Sequence, residues 1–303
     1  MSDSGEAQKV LREHGRTFSW ASVFLGQRAS LLATRLYALC RHLDDLADEP
    51  SPKRQENLQQ LHSALQIDSY PIHDPAFSHY QILKDQGVDL APLRHLLDGL
   101  IADQRQVRLK DEKELLKYCY QVAGTVGLMM SGALEVKDKA ARKNALDLGI
   151  AMQMTNICRD VLEDARMGRV YLPADWIDGL TAEEIANQSH DPRIRTLITE
   201  AQKRLLHRAD QFYRSGAEGF PSLPFRARLS IRTAAVIYRE IGAQILDGKV
   251  NWWEGRSVVT NFRKLSLTLA ALTKGDVLLT QQANESPDLP GELMQYALLK
   301  ATP

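Results

Sequence analysis

The stretch QMTNICRDVLEDARMGRVYLP, residues 153–173, decides the fold of this chain. Read at the period of an α-helix, Asn156, Asp160 and Asp164 lie four residues apart and so share one face over two turns. The apolar residues between them would be buried on the opposite side. Two carboxylates one turn apart, with roughly 5–6 Å between their Cβ atoms, repel each other unless a cation lies between them. The stretch therefore predicts a helix that presents one amide and two carboxylates to a cation.

A second stretch, LYALCRHLDDLADE at residues 36–49, repeats this pattern. Asp44 and Asp48 are again four residues apart, and Asp45 adds a third carboxylate. Arg41 precedes Asp44 by three residues and so shares its face. A solvated acidic face explains either stretch alone equally well, but two such faces in one chain favour a shared site. Mg²⁺ prefers a few carboxylate oxygens together with water and substrate phosphates, so two opposed acidic helices with arginines beside them predict a metal–diphosphate clamp.

The hydrophobic pattern predicts an all-α protein. Apolar residues recur at helical period, and no stretch of alternating valine, isoleucine or threonine persists as a strand would. Loops are expected at residues 67–75 and 216–224, and a capping box is expected from Thr181 to Glu184. The predicted helices span residues 28–49, 54–65, 76–84, 90–109, 112–134, 138–167, 192–213 and 226–246, with short helices between 175 and 187.

The length of 303 residues allows one or two domains. The two acid clusters can share metal ions only if their helices face one another across a common cavity. We therefore expect residues 1–303 to form a single domain, with residues 1–14 and about 275–303 peripheral or flexible. The sequence carries no indication of the oligomeric state.

The composition narrows the class of protein. Lysine and arginine number 38, as do aspartate and glutamate, so the formal net charge is +0 and a nucleic-acid-binding protein with a global positive field is disfavoured. Cys40, Cys119 and Cys158 form no CxxC pair and are expected to be small buried side chains in a reducing cytoplasm. The polar N-terminus lacks the apolar core of a secretory signal, and no run of about 18 uncharged apolar residues is present. We expect a cytoplasmic protein, with peripheral contact at the inner face of the membrane left open.

Several motifs together resemble the squalene/phytoene synthase family, whose members join two allylic isoprenoid diphosphates head to head. CRHLDDLAD and MTNICRDVLEDARMGRVYLP are similar to the two aspartate-rich motifs of that family. The likeness runs from HGRTF near residue 14 through YCYQVAGTVGLMM at residues 118–130 to SVVTNFRKL at residues 257–265. As a set these motifs are far more specific than either acidic motif alone. The resemblance implies a helical bundle of the isoprenoid synthase type with a central cavity.

The same resemblance implies roles for individual residues. The implied metal ligands are Asp44, Asp48, Asn156, Asp160 and Asp164, which would hold Mg²⁺ or, as an alternative, Mn²⁺. The implied substrate-binding residues are Arg16, Thr17, Tyr37, Arg41, Gln153, Arg159, Tyr238, Arg256 and Lys264. The four aspartates and Tyr118 form the implied catalytic group. Cationic donors neutralise a leaving diphosphate and a tyrosine ring can face a carbocation, whereas ordinary ion pairs and packed tyrosines are the alternatives.

The implied reaction has two ionisations. One allylic diphosphate loses pyrophosphate, and the double bond of the second attacks the resulting cation to give a cyclopropylcarbinyl diphosphate. A second ionisation and rearrangement gives the linear product, which ends in proton loss for phytoene or in hydride addition from NADPH for squalene. GRVYLPADW and IYREIG are most similar to bacterial phytoene synthases, and short side chains at Ser22 and Thr34 would leave room for a C20 tail. We expect two geranylgeranyl diphosphates as substrates, with a squalene, dehydrosqualene or presqualene diphosphate synthase that uses C15 farnesyl diphosphate as the alternative.

Two other functions fit part of the pattern. A class I terpene cyclase also binds magnesium through such clusters, but YCYQVAGTVG and GRVYLP resemble the head-to-head family instead. Some relatives with this fold act as assembly factors and have lost motif acids, whereas both clusters are intact here.

Three glycines, Gly124, Gly127 and Gly132, interrupt one predicted helix. Glycine inside a helix is unfavourable by up to about 1 kcal/mol relative to alanine, so several together indicate a close approach to the backbone. The approaching group is either a packed neighbouring helix or a prenyl chain.

Overall fold

The computed structural model describes residues 3–48, 51–104, 107–256, 258–275 and 279. Over these residues the chain forms fourteen α-helices and no strand, with one isolated bridge between Arg108 and Val170, which confirms the all-α prediction. The helices are α1 (Asp3–His14), α2 (Arg16–Ser22), α3 (Gln27–Asp48), α4 (Arg54–Gln66), α5 (Phe77–Asp85), α6 (Leu93–Ala102), α7 (Glu112–Cys119), α8 (Thr125–Ala133), α9 (Lys139–Arg159), α10 (Val161–Arg166), α11 (Ala182–Asn187), α12 (Pro192–Glu218), α13 (Phe225–Leu246) and α14 (Asn261–Lys274). A π-helical turn, Tyr120–Gly124, joins α7 to α8.

The helix predicted over residues 90–109 is too long. The structure has only α6, Leu93–Ala102, and residues 107–111, which lead into α7, are not helical. There the backbone N–H of Val170 donates to the carbonyl of Val107 at 3.2 Å, so this segment pairs with the chain after α10. Backbone groups that find partners elsewhere in the fold do not need a helix to satisfy them, and this tertiary pairing overrides the local pattern.

The single helix predicted over residues 138–167 is wrong in one respect, because it breaks at Asp160 into α9 and α10. Asp160 has φ −105° and ψ 15°, yet its N–H still donates to the carbonyl of Asn156 at 2.9 Å. Neighbouring side chains on a regular helix point about 100° apart. The break accompanies a side-chain pair between Arg159 and Asp160 that a regular helix would not allow.

Helix α12 continues past the predicted end at Tyr213 and reaches Glu218, so part of the loop predicted at 216–224 is helical. Gly216, where the predicted loop begins, lies inside the helix and is required by its packing. A Cβ atom at this position would lie 2.9 Å from the Cβ of Leu148 on α9. The close contact between α9 and α12 therefore explains a glycine inside a helix.

Helix α9 is the centre of the larger hydrophobic core. Its residues Ile150 and Met154 are fully buried with Phe212 of α12. A second core forms around α3, where Leu36 and Leu43 are fully buried with partners from α4, α5 and α6. The two cores fix α3 and α9, the helices that carry the acidic motifs.

Other predictions are confirmed. Cys40, Cys119 and Cys158 are all buried and free of disulfides, and the Thr181–Glu184 capping box is present at the start of α11. Residues 276–278 and 280–303, part of the segment expected to be peripheral, lie outside the described residues. Across the described ranges, no helix is long and apolar enough to cross a bilayer.

Candidate active site

A cavity of about 310 Å³ lies between α2, α3, α8, α9 and α13. The C-terminal turns of α3 and α9 line it with polar side chains, whereas the preceding turns of both helices line it mainly with apolar or small ones. The polar lining residues on these turns are Arg41, Asp44, Gln153 and Asn156. The larger apolar lining residues are Leu11, Phe18, Leu25, Val122, Val126, Met130, Leu134, Val136, Leu148, Met152, Phe220, Leu223 and Ile231. The cavity thus has a polar mouth and an apolar interior.

The first acidic face lies at the end of α3. Asp44 lines the cavity mouth, and burial raises the pKa of its carboxyl to about 7 against the opposing charge of Arg41, with Asp48 raising it further. Arg41 also lines the cavity and pairs with Asp45. Burial makes the charged form of a carboxyl less stable, and a cation bound beside it would stabilise that charged form.

The second acidic face begins with Asn156 and Gln153, which line the same cavity from α9. The Nδ2 of Asn156 donates to the Oε1 of Gln153 at 3.3 Å. The Oδ1 of Asn156 is buried and accepts no hydrogen bond from any described residue. A buried amide oxygen without a donor is energetically unfavourable, so it is suited to a ligand that the protein itself does not supply.

Asp160 follows at the break between α9 and α10 and is held by two arginines. Arg159 Nε donates to its Oδ1 at 2.7 Å, and Arg256 Nε lies 3.1 Å from the same oxygen. Arg159 also hydrogen-bonds to Tyr238, which lines the cavity. Two guanidinium groups and a phenol therefore surround this carboxylate beside the cavity, a set of donors that suits a diphosphate.

Arg169 links the two acidic faces. Its backbone N–H donates to the carbonyl of Asp164 at 2.9 Å, and its side-chain Nη2 donates to Asp48 of α3 at 2.7 Å. Burial and then the charge of Asp160 raise the pKa of Asp164 to about 7. Arg169 thus bridges the ends of α3 and α10, a contact between distant segments that helical spacing alone could not predict.

Asp103, directly after α6, was missed by the sequence analysis. Tyr118 and Tyr171 each donate a hydroxyl to its Oδ2 at 3.1 Å, and their rings stack with centroids 4.6 Å apart. Burial raises the pKa of Asp103 to about 6 although both hydrogen bonds lower it, and the charge of Asp48 raises it further. Tyr118, expected to face the substrate, is thus committed to Asp103 and does not line the cavity. An isolated aspartate at a helix end has no spacing that reveals such a role.

Three aromatic rings stand together on the cavity wall. Phe18 of α2 packs against Tyr37 of α3 and Tyr238 of α13, with ring centroids 6.2 and 5.5 Å apart. All three line the cavity, and burial raises the pKa of Tyr37 to about 12, so this phenol stays neutral. The electron-rich ring faces of aromatic residues attract cations.

Arg16, Thr17 and Lys264 do not line the cavity itself. Lys264 is buried on α14, and burial followed by the charge of Arg16 lowers the pKa of its ammonium group. Arg16 and Lys264 therefore lie close enough for their positive charges to repel each other. Thr17, between Arg16 and Phe18 in α2, is half-buried. A pair of like charges of this kind is stabilised by an anion between them.

The glycines of α8 and the preceding π turn serve close helix packing. A Cβ atom at Gly127 would lie 2.2 Å from the carbonyl oxygen of Ala145 on α9, and one at Gly124 would lie 3.3 Å from Leu146. Gly127 also lines the cavity, so it belongs to both the packed interface and the wall. A Cβ atom at Gly132 would be in ordinary contact with Val88, at 3.6 Å from its Cγ1.

The donor set fits a metal ion that is shared with a substrate. In the part of the chain that the structure describes, no three histidine, cysteine, aspartate or glutamate side chains converge as a metal cage. Mg²⁺ does not need such a cage, because it keeps several waters and is bound by one or two carboxylates plus substrate phosphates. Asp44, Asp164 and the unpartnered Oδ1 of Asn156 are suitable oxygens for that arrangement.

Comparisons with known proteins agree with this geometry. Residues 11–263 match the squalene/phytoene synthase family model. The 15-cis-phytoene synthase of Enterobacter agglomerans is 35% identical, with 90% of this chain and 95% of that protein covered. The enzyme of the same name from Pantoea ananas is 34% identical over 96% of this chain and 97% of its own length.

Solved structures show the same architecture. A dehydrosqualene synthase in complex with a ligand superposes with a TM-score of 0.77 at 26% identity, covering 90% of this chain and 96% of that chain. A squalene synthase from Alicyclobacillus acidocaldarius shares the fold with a TM-score of 0.69 at 22% identity, covering 84% and 95%. The match over most of the length, together with two acidic helix ends at the mouth of one cavity, places this chain in the squalene/phytoene synthase family.

Proposed function

We propose that this protein condenses two molecules of geranylgeranyl diphosphate head to head to give phytoene, in a magnesium-dependent reaction. The observation that carries the proposal is a single cavity whose polar end is lined by Arg41 and Asp44 from α3 and by Gln153 and Asn156 from α9, and whose interior is mainly apolar. A diphosphate requires cations and a metal, whereas a prenyl tail requires an apolar enclosure. One cavity offers both.

The arginines at the mouth bind and orient the diphosphates. Arg41 lines the cavity beside Asp44, and Arg159 and Arg256 form ion pairs with Asp160. A phosphate can partly displace the carboxylates that these guanidinium groups now hold, because phosphate oxygens accept hydrogen bonds from the same paired N–H donors. Arg16 and Lys264 supply two further charges from α2 and α14.

Asp44, Asp48, Asn156, Asp160 and Asp164 would hold the magnesium, or manganese, ions. When bound, such an ion neutralises the charge that develops on a departing diphosphate. In this chain the acidic side chains fix where that charge is stabilised, at the ends of α3 and α9–α10.

The interior of the cavity protects the allylic cation. The rings of Phe18, Tyr37 and Tyr238 face the cavity and can stabilise positive charge without reacting with it. Apolar walls exclude water, which would otherwise capture the cation as an alcohol. The cyclopropylcarbinyl diphosphate formed by the first condensation ionises in the same site, and loss of a proton completes phytoene without NADPH.

The choice of a C20 substrate is supported by the relatives and by the lining. The 34–35% identical relatives carry the name 15-cis-phytoene synthase, and the small side chains of Ser22 and Thr34 both line the cavity. The likeness to a dehydrosqualene synthase structure favours a second candidate, a C15 reaction with farnesyl diphosphate. Both intact acidic motifs support an enzyme over an assembly factor.

The test is to offer geranylgeranyl and farnesyl diphosphate separately to the purified protein, with Mg²⁺ and with or without NADPH, and to identify the lipid product. A C40 hydrocarbon with a central conjugated triene, made without NADPH, is expected. A C30 product with no reaction of the C20 substrate would establish the second candidate instead. We place the reaction in the cytoplasm with peripheral contact to the membrane, into which a C40 hydrocarbon must pass.

A further inference from the structure

Helix α14 and the residues before it expose a stripe of large apolar side chains. Phe262 is 83% exposed. From Val258 onward, exposed apolar residues recur at intervals of four, three, four and three residues, which places those on α14 along one side of the helix. The members of the stripe are Val258, Phe262, Leu265, Leu269 and Leu272. Monomeric soluble proteins rarely expose a contiguous apolar surface of this kind without a binding function.

The stripe continues onto the neighbouring helices at the end of α14. Arg263 pairs with Glu240 and Arg232 donates to the carbonyl of Ala271, so α14 runs antiparallel to α13. The end of α14 therefore lies near the start of α13, where Phe225 is 77% exposed.

Val23, 76% exposed, lies at the same end. Arg226, the residue after Phe225, donates to the carbonyl of Phe24 at 3.0 Å. Trp20, one turn earlier in α2, donates to Thr268 of α14 at 3.0 Å. We call the five stripe residues together with Val23 and Phe225 the α14 surface.

The segments that build the α14 surface carry positive charge and no acids. Residues 14–43, 219–239 and 255–275 contain no aspartate or glutamate, although the whole chain is charge-balanced. Arg226 and Arg228 donate to backbone carbonyls of residues 24, 25, 221 and 223, and these neutral partners leave the guanidinium charge uncompensated. Among the ion pairs of the described residues, neither arginine takes part. An apolar surface edged by uncompensated cations is complementary to an anionic lipid surface.

The α14 surface lies on the outer side of the cavity wall. Ser22 of α2 and Ile231 and Ala234 of α13 line the cavity, while α14 packs against α13 from outside. Lys264 of α14 approaches Arg16, which begins α2. If the proposed function holds, the substrate is amphipathic and the product is a hydrocarbon, so both exchange with lipid, and the α14 surface lies on one wall of the cavity that would hold them.

We propose that the α14 surface docks the protein on an anionic lipid bilayer, with its apolar side chains inserted at the interface and Arg226 and Arg228 at the headgroups. This inference deepens the proposed function but rests on surface chemistry that is independent of turnover. Burying one exposed phenylalanine strengthens binding by at least about tenfold. One arginine near an anionic surface contributes about fivefold.

The test is sedimentation of the full chain with two kinds of vesicle, phosphatidylcholine alone and phosphatidylcholine with about a third phosphatidylglycerol. Stronger binding to the anionic vesicles is expected. Phe262→Ser should weaken that binding about tenfold or more, and Arg226→Gln about fivefold. The matched control is Ile67→Ser, because Ile67 is 79% exposed on the loop between α4 and α5 and should leave binding unchanged.

Three results would overturn the proposal: no binding of the full chain to either vesicle, equal losses in Phe262→Ser and Ile67→Ser, or a dimer in solution that Phe262→Ser dissociates while vesicle binding is absent. The last would identify a second copy of the chain as the occupant. Turnover of substrate in detergent micelles is measured in parallel and should be the same for wild type and Phe262→Ser. If the wild-type chain turns over substrate but binds neither vesicle, docking alone is refuted; if it binds the vesicles but shows no turnover, the proposed function alone is refuted.

Discussion

Replacing Gly127 by alanine should destabilise the protein because α8 and α9 touch through their backbones at this point. The new Cβ atom would lie 2.2 Å from the carbonyl oxygen of Ala145, and Gly149 makes the reciprocal contact with the carbonyl of Ala123 at 2.3 Å. Carbon–oxygen contacts begin near about 3.3 Å, so the helices would have to separate by about 1 Å. Neither partner is a side chain that can rotate away.

The magnitude follows from two opposing effects. Overpacking a well-packed interior costs about 1–3 kcal/mol, and a backbone clash lies at the upper end of that range. Alanine recovers up to about 1 kcal/mol through its higher helix propensity. The net loss is about 2 kcal/mol, which lowers Tm by about 3 °C for a chain of this size.

The matched control is Gly132→Ala in the same helix. Its Cβ atom would meet Val88 at 3.6 Å, an ordinary contact. We expect this variant to be as stable as the wild type or more stable by up to about 1 kcal/mol. Thermal unfolding followed by circular dichroism, with urea titrations as a second measure, compares all three proteins. A Gly127→Ala variant that melts at or above the temperature of Gly132→Ala would refute the packing argument.

Further predictions concern the site. Asp160→Asn should keep its helical circular dichroism but lose turnover by at least about a hundredfold, and wild-type activity in this variant would disprove the metal assignment. Arg41→Ala should raise KM for the diphosphate substrate with little change in Tm; a collapsed Tm with an unchanged KM would make the arginine structural. Burial raises the pKa of Asp164 to about 7 in the folded state. Below the pKa of the unfolded chain this carboxyl is protonated in both states, so its burial does not lower the free energy of unfolding. As pH rises towards 7, the unfolded chain ionises more readily than the folded one, and the free energy of unfolding falls. In metal-free buffer, Asp164→Asn should therefore gain more stability over the wild type near pH 8 than near pH 5, and a pH-independent difference would contradict this. Asp103→Asn should lower kcat more than it changes KM, measured by steady-state kinetics, because it loosens Tyr118 and Tyr171 and not the diphosphate donors.

The acidic motifs could be predicted because their chemistry is local. Asn156, Asp160 and Asp164 are brought together by helical spacing alone, and this spacing survives the break at Asp160 since the N–H of Asp164 still donates to the carbonyl of Asp160. Arg41 likewise pairs with Asp45, which lies one turn away on α3.

Contacts between distant segments could not be predicted in this way. Asp103 and Tyr171 are separated by 68 residues, and their hydrogen bond depends on how α6 packs against the chain after α10. The loop predicted from Gly216 onward begins later, after Glu218, because a local pattern cannot show the approach of Leu148 to this glycine. Residues 90–109 have helical periodicity, yet the later part pairs its backbone with Val170 instead.

The most direct test of the proposed chemistry counts pyrophosphate released per lipid product formed from geranylgeranyl diphosphate. Two ionisations in one site predict that two pyrophosphates are released per C40 product with Mg²⁺. In excess EDTA, neither pyrophosphate nor the C40 lipid should form. One pyrophosphate per product, with a C40 diphosphate accumulating, would contradict the second ionisation, and full turnover in EDTA would contradict the role of the acidic helix ends.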